Sequence, residues 1–275
     1  MNIAGGKTVR TIAVTSGKGG VGKTNITANL AVALSRLDKK VMILDADLGL
    51  SNIDVVLNLA AKYNIKHLFN GEKRLKDLIV EGPQGIKILP ASSGIQELTS
   101  LDEFQRMRLI EEFDSYEEDI DYLLIDTSSG ISSNVAFFCM AAQEIIVVTS
   151  AEPTAMTDAY ALIKVLYTKY QEKNFKVLVN SVKDSHEATD VYRRLSTATE
   201  RFLSISLDYI GYVPYDGYMK KAVRKQRALI DIYPGSDAAK NLTDIAERIS
   251  IDNNSTIKGT IQFFLGGLIR DHAKV

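Results

Sequence analysis

The chain has 275 residues, 45% of them hydrophobic and 24% charged, and its 33 basic against 34 acidic side chains leave a formal charge of −1. That length suits one large domain or two small ones, and the near-neutral balance gives no global attraction to nucleic acid. A lone cysteine, Cys139, closes no intrachain disulfide and supplies no cluster of thiolates, which excludes a secreted disulfide scaffold and points to a reducing, cytoplasmic setting.

Met1 to Arg10 lacks the apolar core of a signal peptide. A first strand is expected over Thr11 to Thr15, and Gly17-Lys18-Gly19-Gly20-Val21-Gly22-Lys23-Thr24 follows it and opens a helix over Thr24 to Leu37. This satisfies G-x-x-x-x-G-K-[ST]: glycines let backbone N–H groups turn inward around a polyphosphate, and the helix N-terminus adds its positive dipole end. Lys23 supplies a cation for the β- and γ-phosphates, and the Thr24 hydroxyl can ligate Mg²⁺.

A second strand, Val41 to Leu44, runs into Asp45-Ala46-Asp47, two carboxylates at the edge where a parallel sheet binds ligands. One can steady the metal's water shell or the loop lysine while the other orients attacking water. Further strands are expected at Ile86 to Leu89, Tyr122 to Ile125, Ile145 to Thr149, Val177 to Val179 and Leu207 to Val213. Helices are expected at Phe104 to Tyr116, Thr157 to Tyr170, Glu187 to Phe202 and Asp237 to Ile251. The strands are continuous apolar runs that alternate with helices, so the predicted fold is a doubly wound α/β domain, mainly parallel and flanked by helices, over residues 1–251. After Tyr122 to Ile125 comes Asp126-Thr127-Ser128-Ser129-Gly130, where Asp126 is placed to hold Mg²⁺ through water.

Residues 252–256 form a polar linker, and 257–275 a separate tail. On a helical wheel Ile257, Ile261, Phe264, Leu265 and Leu268 share one face, with Phe263 off it, so an amphipathic helix able to lie on a membrane is expected. Docking of that helix on its own domain is the alternative. No stretch approaches the roughly 20 apolar residues of a spanning helix. The run Lys220-Lys221-Ala222-Val223-Arg224-Lys225-Gln226-Arg227 reads as a solvated helix face or a protein-docking surface ahead of a DNA contact. His67, His186 and His272 are too dispersed for a metal or base cluster, and Cys139 reads as a small buried hydrophobe.

Lys18 inside the phosphate loop resembles the deviant Walker A signature of the MinD/ParA family of dimerising ATPases. The resemblance implies that Lys18 reaches the partner subunit's nucleotide, that Asp47 positions hydrolytic water with Asp45 in support, and that Asp47 also stands near the metal through water. It extends the nucleotide contacts from Gly17 through Lys18, Gly19, Gly20, Val21, Gly22, Lys23 and Thr24 to Asn25, Asn52 and Glu152. It also puts the adenine between Asn180 and the Val213, Pro214 and Asp216 loop. The segment from Val147 to Lys164, with Leu124 to Ser132 and Pro90 to Gly94, is similar to the FlhG branch (FleN/YlxH) that sets flagellar number and placement, although Ser128-Ser129 replaces the Gly-Ala of many members. That likeness implies ATP or ADP with Mg²⁺ as cofactors, an ATP-bound homodimer, slow partner-stimulated hydrolysis, and cycling between cytoplasm and the inner membrane face. FlhF, C-ring proteins and a FleQ-type activator are the implied partners. A ParA-like partitioning role on DNA and a MinD-like role at the division site are the competing expectations.

Overall fold

A computed structural model of the chain describes residues 9–49, 52–91, 100–252 and 262–264. In chain order its elements are β1 (Arg10–Ser16), α1 (Lys23–Arg36), β2 (Val41–Ala46), α2 (Ile53–Val56), α3 (Ile65–Phe69), α4 (Leu75–Leu78), β3 (Val80–Glu81), β4 (Lys87–Leu89), α5 (Glu103–Asp114) and β5 (Tyr122–Ser129). There follow α6 (Ser133–Ala141), β6 (Glu144–Thr149), α7 (Pro153–Tyr170), β7 (Phe175–Val182), α8 (Ser185–Leu203), β8 (Leu207–Pro214), α9 (Gly217–Arg224), α10 (Leu229–Ile232) and α11 (Asp237–Ile251).

The strands form one sheet in the order β3-β4-β2-β5-β1-β6-β7-β8. All neighbours are parallel except β3, which runs antiparallel to β4 at the edge. The central strands are buried on both faces, which is why they read as continuous apolar runs. Leu109 and Phe113 of α5, Phe138 of α6, Leu162 of α7 and Val191 of α8 fill the core on one face. Leu30 and Leu34 of α1 and Leu242 and Ile245 of α11 fill the other. Each such side chain contributes about 1.5–3 kcal/mol by leaving water.

Every strand expected from the sequence is present. Missing from that expectation are the two-residue β3 and the helices α2, α3, α4, α6 and α10, which are short or, in α6, apolar on nearly every side.

At the amino ends of the strands, away from the phosphate loop, the Arg10 guanidinium pairs with Glu144 and donates to the carbonyls of Ile249 and Asp252. Lys176 reaches both Glu144, at 2.9 Å, and Asp252, at 2.8 Å. Asp252, expected to open a linker, is therefore anchored by charge to Arg10 of β1 and Lys176 of β7. Burial alone raises the Glu144 pKa, but hydrogen bonds and charge from Arg10 and Lys176 outweigh it and hold the carboxyl below its ordinary value. Burial likewise opposes the Lys176 ammonium, and Asp252 and Glu144 more than compensate, leaving its pKa raised.

Of the tail's apolar stripe, Ile257, Ile261, Leu265 and Leu268 lie outside the described residues. Residues 262–264 form a turn in which Phe264 takes φ 63°, a left-handed conformation that a continuous helix does not contain. Phe263, off the expected stripe, is buried: its ring packs on Phe113 at 4.7 Å and on Phe137 at 6.2 Å, and its N–H donates to the Ala141 carbonyl. Phe264 also packs on Phe113. This part of the tail thus departs from the expected helix, and Phe113 and Phe137 hold it as a turn.

Glu144→Gln leaves two cations short of a buried partner and should cost roughly 3 kcal/mol. A depressed carboxyl pKa gives stability that is present above the unfolded value, near 4.5, and is lost as pH falls through the folded one. Thermal unfolding followed across acidic pH should therefore show a smaller loss of Tm in Glu144→Gln than in the parent protein, starting from a lower value at neutral pH.

Candidate functional site

The strand β1 ends at Ser16, and the loop that follows has to turn back on itself to enter α1. Gly22 makes that turn at φ 90°, where a side chain would be strained and where a Cβ would also sit 2.4 Å from the Asn180 amide nitrogen. Gly17 is required for space: a Cβ there would meet the Asp158 backbone of α7 at 2.1 Å. The first turn of α1 carries no acidic residue, and Gly22 provides no side-chain acceptor for its N–H groups. Those donors point at a cavity of about 480 Å³ lined by Ser16, Gly19 to Asn25, Asp47, Asn52, Val56 and Ser129. Orphan donors, a positive dipole end and room for a polyphosphate meet at one place, so the residues present fit a nucleotide phosphate chain.

Lys23 is 7% exposed, and its Nζ lies 3.1 Å from Oδ1 of Asp126, itself 1% exposed at the end of β5. Thr27 donates its hydroxyl to the same oxygen at 3.1 Å. Parallel pairing of β2 with β5 sets Asp45 directly beside Asp126. Asp45 holds the backbone after β2: its Oδ1 accepts from Asp47 N, and its Oδ2 accepts from Asn52 N and Ile53 N at the start of α2. Asp45 thus fixes the turn that carries Asp47 to the cavity wall. Gly130 N donates to the Ser16 carbonyl, and Thr127 donates to the Thr15 hydroxyl, tying the segment after β5 to the phosphate loop.

Lys18 stands at the rim. Its ammonium is 2.5 Å from Glu152 Oε2 and 2.7 Å from the Thr154 hydroxyl, both at the start of α7, where Pro153 occupies the first helical position. Asn180 lies behind the loop and donates its amide to the Val21 carbonyl at 2.7 Å. Val213 pairs with Asn180 across β7 and β8, so the two stand side by side at the carboxyl end of the sheet. Both oxygens of Asp216 are engaged as caps, Oδ1 by Tyr218 N and Oδ2 by Ala238 N. Asn180, Val213, Pro214 and Asp216 lie beyond the lining of the phosphate cavity.

Sequence reasoning passed over Ser16, Val56 and Ser129 as cavity residues and Thr154 as a partner of Lys18. Only Ser129 carried a signal, as one of the two serines that replace Gly-Ala. His67 accepts from the Asn64 backbone in a capping box of α3, His186 lies exposed beside Asp190, and His272 lies outside the described residues. Cys139 is fully buried. Among the described residues no helix is long and apolar enough to cross a membrane.

A family model described as ParA, NUBPL iron-transfer P-loop NTPase, matches residues 7–250. The antiactivator FleN of Pseudomonas aeruginosa is 41% identical over 266 residues, covering 96% of this chain and 95% of that protein. The flagellum site-determining protein YlxH of Helicobacter pylori is 34% identical over 236 residues, 86% of this chain and 80% of that one. Among solved structures, the septum site-determining protein MinD of Pyrococcus horikoshii, complexed with Mg-ADP, superposes with a TM-score of 0.73 at 25% identity, covering 88% of this chain and 96% of that chain.

Gly17→Ala forces the phosphate loop away from α7 and should cost about 1–3 kcal/mol together with most of the affinity for a fluorescent ADP analogue. Gly217→Ala, where a Cβ meets nothing, should change stability by no more than about 0.5 kcal/mol. Thermal unfolding and fluorescence titration of the two variants check this.

Proposed function

The chain belongs to the ParA/MinD family of P-loop ATPases, and from that premise we propose that it is an ATP-driven dimerising switch that regulates the number or placement of flagella. The observation that carries the reading is the pairing of the phosphate cavity with a second lysine, Lys18, held at its rim rather than inside it. The likeness to FleN and YlxH across most of the chain supports the flagellar role.

The proposed cycle begins when triphosphate enters the cavity and its oxygens take the N–H groups of residues 19–25. Lys23 exchanges Asp126 for the β- and γ-phosphates. Mg²⁺, held by the Thr24 hydroxyl and through water by Asp126 with Asp47 alongside, would neutralise developing charge on the phosphates. Asp47 orients the attacking water, and Asp45 keeps Asp47 in place through its backbone. Lys18 leaves Glu152 and Thr154 and crosses to the nucleotide of a second subunit, so that charge neutralisation is complete only in the dimer. Asn25 and Asn52 serve as polar contacts at the cavity wall, Glu152 at its rim, and the base lies toward Asn180, Val213, Pro214 and Asp216. Loss of the γ-phosphate releases the segments after β2 and β5 and dissolves the dimer. In this reading residues 257–275 become a membrane contact when ATP releases Phe263 from the core, and two subunits present the segment together, which strengthens a single weak anchor. The partners are flagellar proteins.

Asp47→Ala should keep the ATP-dependent doubling of mass in size-exclusion chromatography with light scattering, while turnover falls about 100-fold. Liposome flotation of that variant with ATP should depend on residues 257–275. Unchanged turnover removes Asp47 from its role, and a mass that ignores nucleotide sinks the dimer.

A further inference from the structure

The basic run near the end of the chain forms a surface that the nucleotide site does not use. Lys220, Lys221, Arg224, Lys225 and Arg227 are all exposed along α9 and the turn after it. No described carboxylate forms an ion pair with any of them, whereas Arg36, Lys87 and Arg193 each have one. Asp216, the acid at the head of α9, is spent on capping. The lysines instead lie over tyrosine rings: Lys220 over Tyr215 at 5.2 Å, Lys221 over Tyr218 at 4.6 Å, and Lys225 over Tyr233 at 5.4 Å. Tyr218 and Tyr233 pack on each other at 4.7 Å. These contacts hold the ammonium groups in place and leave their charge uncompensated by any described acid.

The surface continues onto α2, the helix that follows Asp45 and Asp47. Gln226, at φ 52°, donates its side-chain amide to the Val55 carbonyl at 2.9 Å, and its backbone N–H donates to the Val223 carbonyl at 3.0 Å. Val55 is 55% exposed and Val223 37% exposed. Gln226 thus ties two exposed valines, Val55 and Val223, to the border of a face that carries five cations. Exposed apolar residues beside Tyr and Arg side chains are features that protein interfaces use. A nucleic acid backbone has no use for the valines, and the chain's overall charge of −1 offers it no long-range attraction.

We propose that the exposed face of α9 and α2 is a docking surface for a partner protein segment rich in Asp and Glu with apolar residues among them, and that its occupation acts on the segment after β2 through the Gln226–Val55 hydrogen bond. Charge complementarity selects the acids, and Val55 and Val223 receive the apolar residues. The link to the site is short: Val55 follows Asn52 and Ile53, whose N–H groups are held by Asp45. Gln226 is a positioning residue in this scheme. The coupling half of the proposal rests on the ATPase reading, and the docking half does not.

The test uses the full chain and a fluorescein-labelled peptide of repeated Glu-Glu-Leu units, with Glu-Glu-Ser repeats, single-stranded DNA and phosphatidylglycerol vesicles as competitors. The Leu peptide should bind about tenfold more tightly than the Ser peptide, and the combined change Lys220→Glu, Lys221→Glu, Lys225→Glu should abolish its binding. The neutral set Lys220→Gln, Lys221→Gln, Lys225→Gln should weaken binding by an intermediate factor, and its conserved size guards against a folding artefact. Gln226→Ala should bind the Leu peptide as the parent does, yet lose the change in ATP turnover that the peptide causes. Equal binding by the charge-reversed protein, or displacement of the peptide by DNA or vesicles and not by excess unlabelled peptide, overturns the docking surface. A peptide effect on turnover that survives Gln226→Ala overturns the coupling. A protein that binds the peptide and turns over no ATP overturns the ATPase reading and leaves the docking surface standing.

Discussion

A buried ammonium sets the terms for the rest of the molecule. Lys23 begins α1 and is 7% exposed, and its one described counter-charge is Asp126, at 3.1 Å. Removing both ions from water costs several kcal/mol each, so the pair persists only where geometry is fixed and spare hydrogen-bonding capacity is filled, which Thr27 does for the carboxylate. That geometry exists because β5 lies between β2 and β1. The strand order brings the end of β5 against the loop leaving β1, and parallel register brings Asp45 beside Asp126. The site is therefore a consequence of sheet topology, with each of its acidic side chains delivered by the carboxyl end of a strand.

The two ends of the sheet are built from different materials. At the carboxyl end the turns are glycine-rich, and the charged groups can exchange partners. At the amino end Arg10, Glu144, Lys176 and Asp252 form a closed set that joins β1, β6 and β7 to the end of α11. The phosphate-binding loop does not adjoin this second cluster. It serves as a fixed base against which the loops at the other end can rearrange.

Most of the fold was legible because the central strands are uniformly apolar and their helices carry one apolar stripe. The failures have particular causes. The helix α6, Ser-Asn-Val-Ala-Phe-Phe-Cys-Met-Ala, is apolar on nearly all sides, so no 3.6-residue period marks it. β3 is two residues long and owes its existence to register with β4, which no local pattern encodes. The phosphate loop was readable from Gly17 to Thr24, since its chemistry lies in consecutive residues. Asn180 was readable as a polar residue at a strand end but not as a brace on Val21, because that contact spans 159 positions. Phe263 was misplaced by a helical wheel applied to residues that form a turn, where angular positions have no meaning.

Every charged group expected to serve the nucleotide already has a partner within the chain. Lys23 has Asp126, Lys18 has Glu152 and Thr154, and Asp45 has the N–H groups of Asp47, Asn52 and Ile53. Nucleotide binding is therefore an exchange of partners, and its net free energy is the difference between two sets of polar interactions. An exchange of this kind suits a switch better than a fast catalyst. The Lys23 exchange stays inside one subunit, so any phosphate in the cavity can drive it. The Lys18 exchange gives up contacts at 2.5 and 2.7 Å on α7, and in the dimer reading a new partner exists only when a second subunit presents one. Those two contacts then set a threshold: a lone subunit retains them with or without nucleotide, and only the nucleotide of a second copy competes for the lysine.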